Sequence, residues 1–480
     1  MRNASRNLEW VIRLFAKREV LFLLFLAVLA VVSIIRWDIP AGEEFYYHSR
    51  IAEQILHKNL FYDNLSYGGR YILPSIGLDL IIAMFSFLTG FSVKTTSLIL
   101  PILFGLGSLL LLYSLVRGAN KKVIVLGFLF LLISPGFLYL FTRPNVYAAT
   151  VFFTVLSIYF LSRNKHRASI MSFIPIFLIS VPGGFVALFA LLIYSAYIKN
   201  LRIWLKFLTT SVIVSLVYLP FLIKFGLPEL PEFTIGNTGI NFIFQRYIFD
   251  FGSKFGLGIF GFLLSFFGIS KLMRDRQGHF VEHIGFIGLF ALAYFFDAAL
   301  LFLTFFVSIL AAHGFIGLLK KRWQSRTIRY ITLLIFIYGL LFSGLSYVNQ
   351  SINGLPNSDI VNGLRYLGSL EEGTVFSGYT NGIWINAIAG KKNVMDSKFF
   401  YAPGVNYRWQ DSQRILYSID VEEISWLFNK YNVKYVFLDP DMKEKLFENR
   451  DTGLIYVLKY SNKFKRVYNK NGVEVWEYAS

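Results

Sequence analysis

Cysteine is absent from all 480 residues, and charged side chains make up only 16% of them. Without thiols there is no cysteine nucleophile, no thiolate metal site and no structural disulfide, although this leaves the compartment open. Soluble domains carry about 25% charged residues. At 16% charged and 55% hydrophobic, an ordinary soluble enzyme is excluded, and so are a disordered chain, a coiled coil and a disulfide scaffold. Also missing are a Walker A sequence, a His-Glu-x-x-His pair, a Gly-x-Ser-x-Gly elbow and a Rossmann fingerprint. No low-complexity tract and no repeat of roughly 20 to 50 residues occurs.

What is abundant is apolar and aromatic, with 51 Phe and 28 Tyr, on a chain of net charge +18. A membrane-spanning helix needs roughly 17 to 25 mainly apolar residues. The clearest candidates are 19–35, 94–116, 122–141, 146–161, 203–225, 251–270 and 328–346. Two shorter pairs complete the set: 168–181 and 183–198, broken by Pro182-Gly183-Gly184, and 283–296 and 298–319, broken near Asp297. The first span follows Arg13, Lys17 and Arg18 without a small-residue cleavage site and is read as an uncleaved anchor.

The segment 71–89 is long enough to span, and the charges decide its placement. If it does not cross, the basic clusters at 117–122, 163–167, 199–202, 271–276 and 320–329 all fall in the cytoplasm; if it crosses, all face outward against the positive-inside rule. The segment is therefore read as a surface or re-entrant helix, where Pro74 and Asp79 are tolerated. The expected fold is a polytopic α-helical membrane protein of about 11 spans, with the N-terminus cytoplasmic. Most of the positive charge then sets orientation in the cell membrane, and nucleic acid is not a partner.

From about residue 348 the long apolar runs stop. Short strands (Thr374–Ser377, Tyr435–Leu438, Leu454–Leu458, Val473–Trp476) alternate with helical stretches at 358–370 and 421–430. Two domains follow: a transmembrane domain over 1–347 and an extracytoplasmic α/β domain over 348–480.

Three outer elements precede that domain: the loop 36–71, the turn 142–145 and the loop 226–250. The first contains Gly42-Glu43-Glu44-Phe45-Tyr46-Tyr47-His48-Ser49-Arg50, followed by an amphipathic stretch to Leu60. On helical spacing His48 faces the same side as Glu44, so the pair can hold a general base or a divalent ion near a phosphate. The plainer alternative is the first turn of a surface helix, where acids stabilise the helix dipole. His166, His279, His283 and His313 fall at or near cytoplasmic ends of spans and read as interfacial residues. Asp297, between two apolar helices, is a functional candidate or a hydrated outer-turn residue.

Four stretches stand in a meaningful order. They are Glu44-Phe-Tyr-Tyr-His-Ser-Arg50 after the first span; Leu100-Pro101-Ile-Leu-Phe-Gly105, Tyr113-Ser-Leu-Val-Arg117 and Ile133-Ser-Pro-Gly136; Phe233-Thr-Ile-Gly-Asn237 with Phe255-Gly-Leu-Gly258; and Gly382-Ile-Trp-Ile385 with Lys391 and Asp396. Together they resemble a GT-C class membrane glycosyltransferase, and within that class the catalytic subunit of oligosaccharyltransferase, especially the archaeal single-subunit form. The departures are specific. Gly378-Tyr379-Thr380-Asn381-Gly382 stands where the family has Trp-Trp-Asp-Tyr-Gly, so the pocket that reads a glycosylation sequon is missing. Arg143-Pro-Asn145 replaces the second acidic motif, Asn237 replaces the acid of the flexible loop, and the span with Phe295-Phe296-Asp297 lacks the family's Arg.

A divalent cation favours carboxylate oxygens, so losing two acids argues against sequon-directed N-glycosylation and leaves Glu44 as the acid for any Mg or Mn. The resemblance then implies the metal-independent branch. A sugar would move from a polyprenyl (dolichyl) phosphate donor to a glycan or protein acceptor on the outer face, by a single displacement that inverts the anomeric centre. Glu44 would be the base, Glu43 its alternate or helper and His48 the orienting group. Arg50, Arg143 and Arg246 are candidate phosphate contacts, with Asn145 and Asn237 in the substrate-binding positions. Two alternatives are a non-catalytic relative serving as a scaffold in a glycosylation complex, and a lipid-linked glycan transporter, motivated by the broken helices and Asp297.

Overall fold

A computed structural model of the protein describes residues 17–57, 62–72, 75–118, 120–226, 240–272, 280–446 and 452–479. The chain forms two compact units, one of Met1–Trp37, Lys94–Val217 and Asn237–Asn353, the other of Asp38–Val93, Tyr218–Gly236 and Gly354–Ser480.

The first unit is helical. Among the described residues of the whole chain, four helices are long and apolar enough to cross a membrane: Val93–Val116, Arg202–Phe225, Asp297–Lys320 and Arg326–Ile352. A fifth span arises if Lys121–Leu132 and Pro135–Thr142, bent by 66°, count as one. The bend has a local cause, because Pro135 cannot continue the preceding helix and Ser134 caps the next one through the Phe137 amide. Shorter apolar helices include Val146–Ser162, His166–Ile179 and Val181–Tyr197.

The helix Asp297–Lys320 is the centre of this unit, buried along most of its length. Gly268 and Gly314 bring it against Ile259–Leu272: a Cβ at Gly268 would lie 2.0 Å from the Leu310 carbonyl oxygen, and one at Gly314 2.1 Å from that of Leu264. Small residues of this kind let apolar helices meet backbone to backbone. The expected break at Pro182-Gly183-Gly184 falls slightly earlier. Ser180 caps the helix Val181–Tyr197, its hydroxyl accepting from the Gly183 amide, and Pro182 fits the first turn, where no amide donor is needed.

In the second unit, Asp38–Val93 contributes the helix Glu44–Leu56, the antiparallel strands β1 (Tyr62–Asp63) and β2 (Arg70–Tyr71), and the helix Gly77–Thr89. The turn between β1 and β2 joins the C-terminal part. The Asn393 amide donates to the Leu65 carbonyl (3.1 Å), the Tyr67 amide to Asn393 Oδ1 (2.8 Å), and the Tyr67 hydroxyl to the Asp396 carbonyl (2.8 Å).

The C-terminal part is a five-stranded sheet of β3 (Thr374–Phe376), β4 (Lys392–Asn393), β5 (Val433–Leu438), β6 (Phe464–Lys470) and β7 (Val473–Tyr478), ordered β4-β3-β5-β7-β6. The pairs β3–β4 and β3–β5 are parallel; β5–β7 and β6–β7 are antiparallel. The helices Ser358–Ser369 and Val421–Lys430 match the expected stretches.

The expected strand Leu454–Leu458 is instead the helix Gly453–Tyr460. Leu454, Val457 and Leu458 recur at helical spacing and enter the core with Phe428, Phe464 and Trp476. A short apolar run reads equally well as strand or helix. The strand that does follow, β6, is an edge strand whose Lys465, Arg466 and Lys470 hide it from an apolar pattern.

Candidate functional site

Glu43 is the N-cap of the helix Glu44–Leu56, and every residue from Phe45 to Ala52 is buried. A helix enclosed on all sides through two turns is not a solvated surface element, so the plainer reading of this acidic turn does not describe it. As the four-residue spacing predicts, His48 Nε2 lies 3.1 Å from Glu44 Oε2. Its other ring nitrogen, Nδ1, lies 2.6 Å from Asp79 Oδ1 in the first turn of Gly77–Thr89. On the far side of Glu44, Lys398 Nζ donates to Oε1 across 2.8 Å. The Ser397 hydroxyl donates to Glu43. Asp79, His48, Glu44 and Lys398 thus form one chain in which acids and bases alternate.

The chain is closed at one end and open at the other. Asp79 and His48 are buried, with side chains 2% and 4% exposed, whereas Glu44 and Lys398 are 25% and 19% exposed. Burial opposes charge on His48, but the Asp79 and Glu44 carboxylates outweigh it, and its pKa is pushed up to about 9. A protonated ring in this position donates to both neighbours. Burial likewise opposes ionisation of Glu44, yet the Lys398 ammonium and the His48 hydrogen bond hold its carboxyl well below the usual range. Lys398 stays charged against burial because Glu44 and Glu43 face it, and its ammonium lies 5.2 Å from the centre of the Tyr47 ring.

A second ionic group fixes the turn that presents Lys398. Arg50 grips Asp63 with both terminal nitrogens at 2.6 Å, and both side chains are buried. Arg50 holds the Asp63 carboxyl down at about 2 in spite of burial. Arg70 reaches Asp396 at 3.4 Å and donates to the Lys398 carbonyl, while the Ser66 hydroxyl donates to Asp396. Asp396 Oδ1 in turn accepts from the Lys398 amide at 2.8 Å. The backbone of Lys398 is held from both sides, so its ammonium meets Glu44 from a fixed base.

Of the residues singled out by sequence, Glu43, Glu44 and His48 come together here. Arg50 lies on the same helix, its terminal nitrogens committed to Asp63. Arg143, Asn145 and Arg246 belong to the first unit. The Asn145 side chain is used as a helix cap: its Oδ1 accepts from the Ala148 amide, and its Nδ2 donates to the Leu140 and Arg143 carbonyls. Arg143 is half-buried, 5.6 Å from the centre of the Tyr347 ring. Arg246 pairs with Asp297 at 2.9 Å and donates to the Ala293 carbonyl. Asn237 lies outside the described residues.

Asp79, Lys398, Ser397 and Asp63 were not singled out. A buried acid in an apolar helix is a general sign of function and marks Asp79; nothing local links Lys398 to an acid 354 residues away.

The residues around Glu44 do not fit a divalent cation. Its two oxygens are taken by the Lys398 ammonium and the His48 ring, and Asp79 is taken by the other nitrogen of the same ring. Among the described residues no group of three or more His, Asp or Glu is arranged to hold a metal.

No family model and no curated protein matches the chain. Solved structures do. The oligosaccharyltransferase AglB of Archaeoglobus fulgidus, in complex with an inhibitory peptide and a dolichol-phosphate, is 13% identical, with a TM-score of 0.58 over 95% of this chain and 74% of that one. ArnT of Cupriavidus metallidurans is 13% identical, with a TM-score of 0.57 over 95% of this chain and 97% of that one. The arabinofuranosyltransferase AftD of mycobacteria is 10% identical, with a TM-score of 0.57 over 96% of this chain and 40% of that one. All three are GT-C glycosyltransferases, and the fold of this chain is the GT-C fold.

Proposed function

We propose that the protein is a membrane glycosyltransferase that moves a sugar from a polyprenyl-phosphate donor to an acceptor hydroxyl on the outer face of the membrane. The observation that carries this reading is the partly exposed Glu44–Lys398 pair, backed by the buried His48–Asp79 pair, at the place where the GT-C resemblance puts its base. The AglB complex with a dolichol-phosphate supports the donor class.

In the proposed reaction the acceptor oxygen attacks the anomeric carbon as Glu44 takes its proton. The new C–O bond forms as the bond to the phosphate oxygen breaks, and the electron pair leaves with the phosphate. One displacement inverts the anomeric centre. A positioned base contributes about 10²- to 10⁴-fold to such a step. Lys398 offers the leaving phosphate a charge-assisted contact. His48, held by Asp79, keeps the Glu44 carboxylate aimed.

Lys398 has a second consequence. While it is paired to Glu44, that carboxylate is a weak base. A donor phosphate competes for the same ammonium, and on drawing it away releases Glu44 to accept a proton. Basicity then appears only when the donor is in place.

The experiment is to incubate the purified protein with a panel of polyprenyl-phosphate sugars, in EDTA and with added Mg or Mn, and to follow donor loss with and without hydroxyl acceptors. Donor loss that disappears in Glu44→Gln supports the assignment. Undiminished loss in both Glu44→Gln and Glu43→Gln removes it.

A further inference from the structure

In the second unit a cavity of about 830 Å³ opens at the N-terminal ends of the parallel strands β3, β4 and β5, where Gly373, Lys391 and Asn432 precede or begin them. Its walls are polar and positively charged. Lys391, Lys392, Arg408 and Lys430 line it, against Glu372 as the acid among the described lining residues. The cations are fixed by their own partners. Lys391 Nζ donates to the carbonyls of Leu370 (2.9 Å) and Glu371 (2.7 Å), and Arg408 donates to those of Pro403 (3.1 Å) and Val394 (2.9 Å). Lys430 is held by Asp411 at 2.6 Å. Lys392 stands exposed on the edge strand.

Two aromatic rings back them, Tyr67 fully buried and Tyr431 half-buried. The Arg408 guanidinium lies 5.6 Å from the centre of the Tyr67 ring and 5.1 Å from that of Tyr431. Exposed amides are supplied by Asn64 and Asn432, and Gly68 and Gly390 leave their backbone open, since a Cβ on either would meet nothing within 4 Å. A volume of this size lies within the range of small-ligand sites, about 300 to 1,000 Å³. Most such sites are apolar; this one offers cations, amides, bare peptide groups and the partly exposed Tyr431 ring. Those are the groups that meet carboxylates or phosphates, hydroxyls and the C–H faces of pyranose rings.

We propose that this cavity binds an acidic oligosaccharide, a glycan segment carrying uronate or phosphate groups. The carbohydrate class rests on the glycosyltransferase reading; the negative charge rests on the lining residues alone. The wall is tied to the candidate site, because Tyr67 and Asn393 bond to each other and Tyr67 holds the Asp396 carbonyl two residues before Lys398. A glycan seated here is anchored to the same turn that presents Lys398 to Glu44.

The test uses the full chain in detergent, titrated by calorimetry with tetragalacturonate and, as a neutral control of equal length, cellotetraose. The variants are Lys392→Glu, which reverses an exposed charge, and Asn64→Trp, which fills the mouth. The expected result is binding of the uronate with at least about tenfold preference over the neutral chain. Binding should weaken about tenfold in Lys392→Glu, in line with the loss of one charge-assisted contact, and should fall with added salt. No measurable heat with the uronate, equal binding of both sugars, or unchanged binding in both variants overturns the proposal. None of these outcomes bears on whether Glu44→Gln abolishes donor loss, so failure of this site and failure of the glycosyltransferase reading are told apart.

Discussion

Lys398 stands 354 residues beyond Glu44 in the chain and donates to its carboxylate across 2.8 Å. An acid in that pairing is charged at any ordinary pH and reluctant to accept a proton. In the proposed mechanism the donor phosphate must therefore compete for Lys398 before Glu44 can act.

This has a kinetic signature. The profile of kcat/KM reports the free enzyme and that of kcat the loaded one. The free Glu44 carboxyl titrates well below its ordinary value, so kcat/KM should hold until the pH falls far below the usual carboxylate range. Once the phosphate has drawn Lys398 away, the same carboxyl titrates higher, and the acid limb of kcat should lie at a higher pH. Coinciding acid limbs would show that Lys398 never leaves Glu44.

Lys398→Met removes the ammonium and keeps most of the side-chain volume. Loss of a preorganised charge-stabilising group costs about 10²- to 10³-fold in turnover, and Lys398→Arg should restore part of it. A steady-state comparison of the three proteins checks this; a Met variant within a few-fold of the parent would leave Lys398 with no part in the reaction.

His48 is raised from 6.5 to about 9 between two carboxylates. A raised base stabilises the fold while it is protonated, so this contribution is complete below about pH 6.5 and is lost as pH rises through about 9. Melting temperature should fall across that window, and less steeply in His48→Gln. Equal slopes in parent and variant would place the alkaline loss elsewhere.

Arg50 and Asp63 form a buried, bidentate pair. Removing one partner of such a pair costs about 3 to 5 kcal/mol, because the other charge is left buried. Denaturation of Arg50→Ala and Asp63→Ala should show that loss in each, with the double variant less unstable than the sum of the two. Simple addition would mean that the two charges do not depend on each other.

Much of this was legible from local spacing. The pairing of Glu44 with His48 follows from their separation on one helix, and the break before Asp297 follows from the end of an apolar run. The GT-C fold was readable from motif order, although each motif is weak by itself. What local patterns cannot carry is long-range partnership. Asp79, Asp63 and Lys398 join the site through packing, and Asp396, noted in sequence for its spacing, proves to hold the Lys398 backbone. Leu454–Leu458 fits either period, and only its contacts with Phe428 and Trp476 make it helical. The edge strand Phe464–Lys470 carries too much charge to look like a strand.

The most direct measurement is donor consumption by the parent protein and Glu44→Gln, each in EDTA and with added Mg or Mn, on protein whose melting curve shows it folded. The account predicts turnover by the parent that is indifferent to EDTA and metal, and loss of about 10²-fold or more in Glu44→Gln. Undiminished turnover in Glu44→Gln, or turnover that depends wholly on added metal, would contradict it.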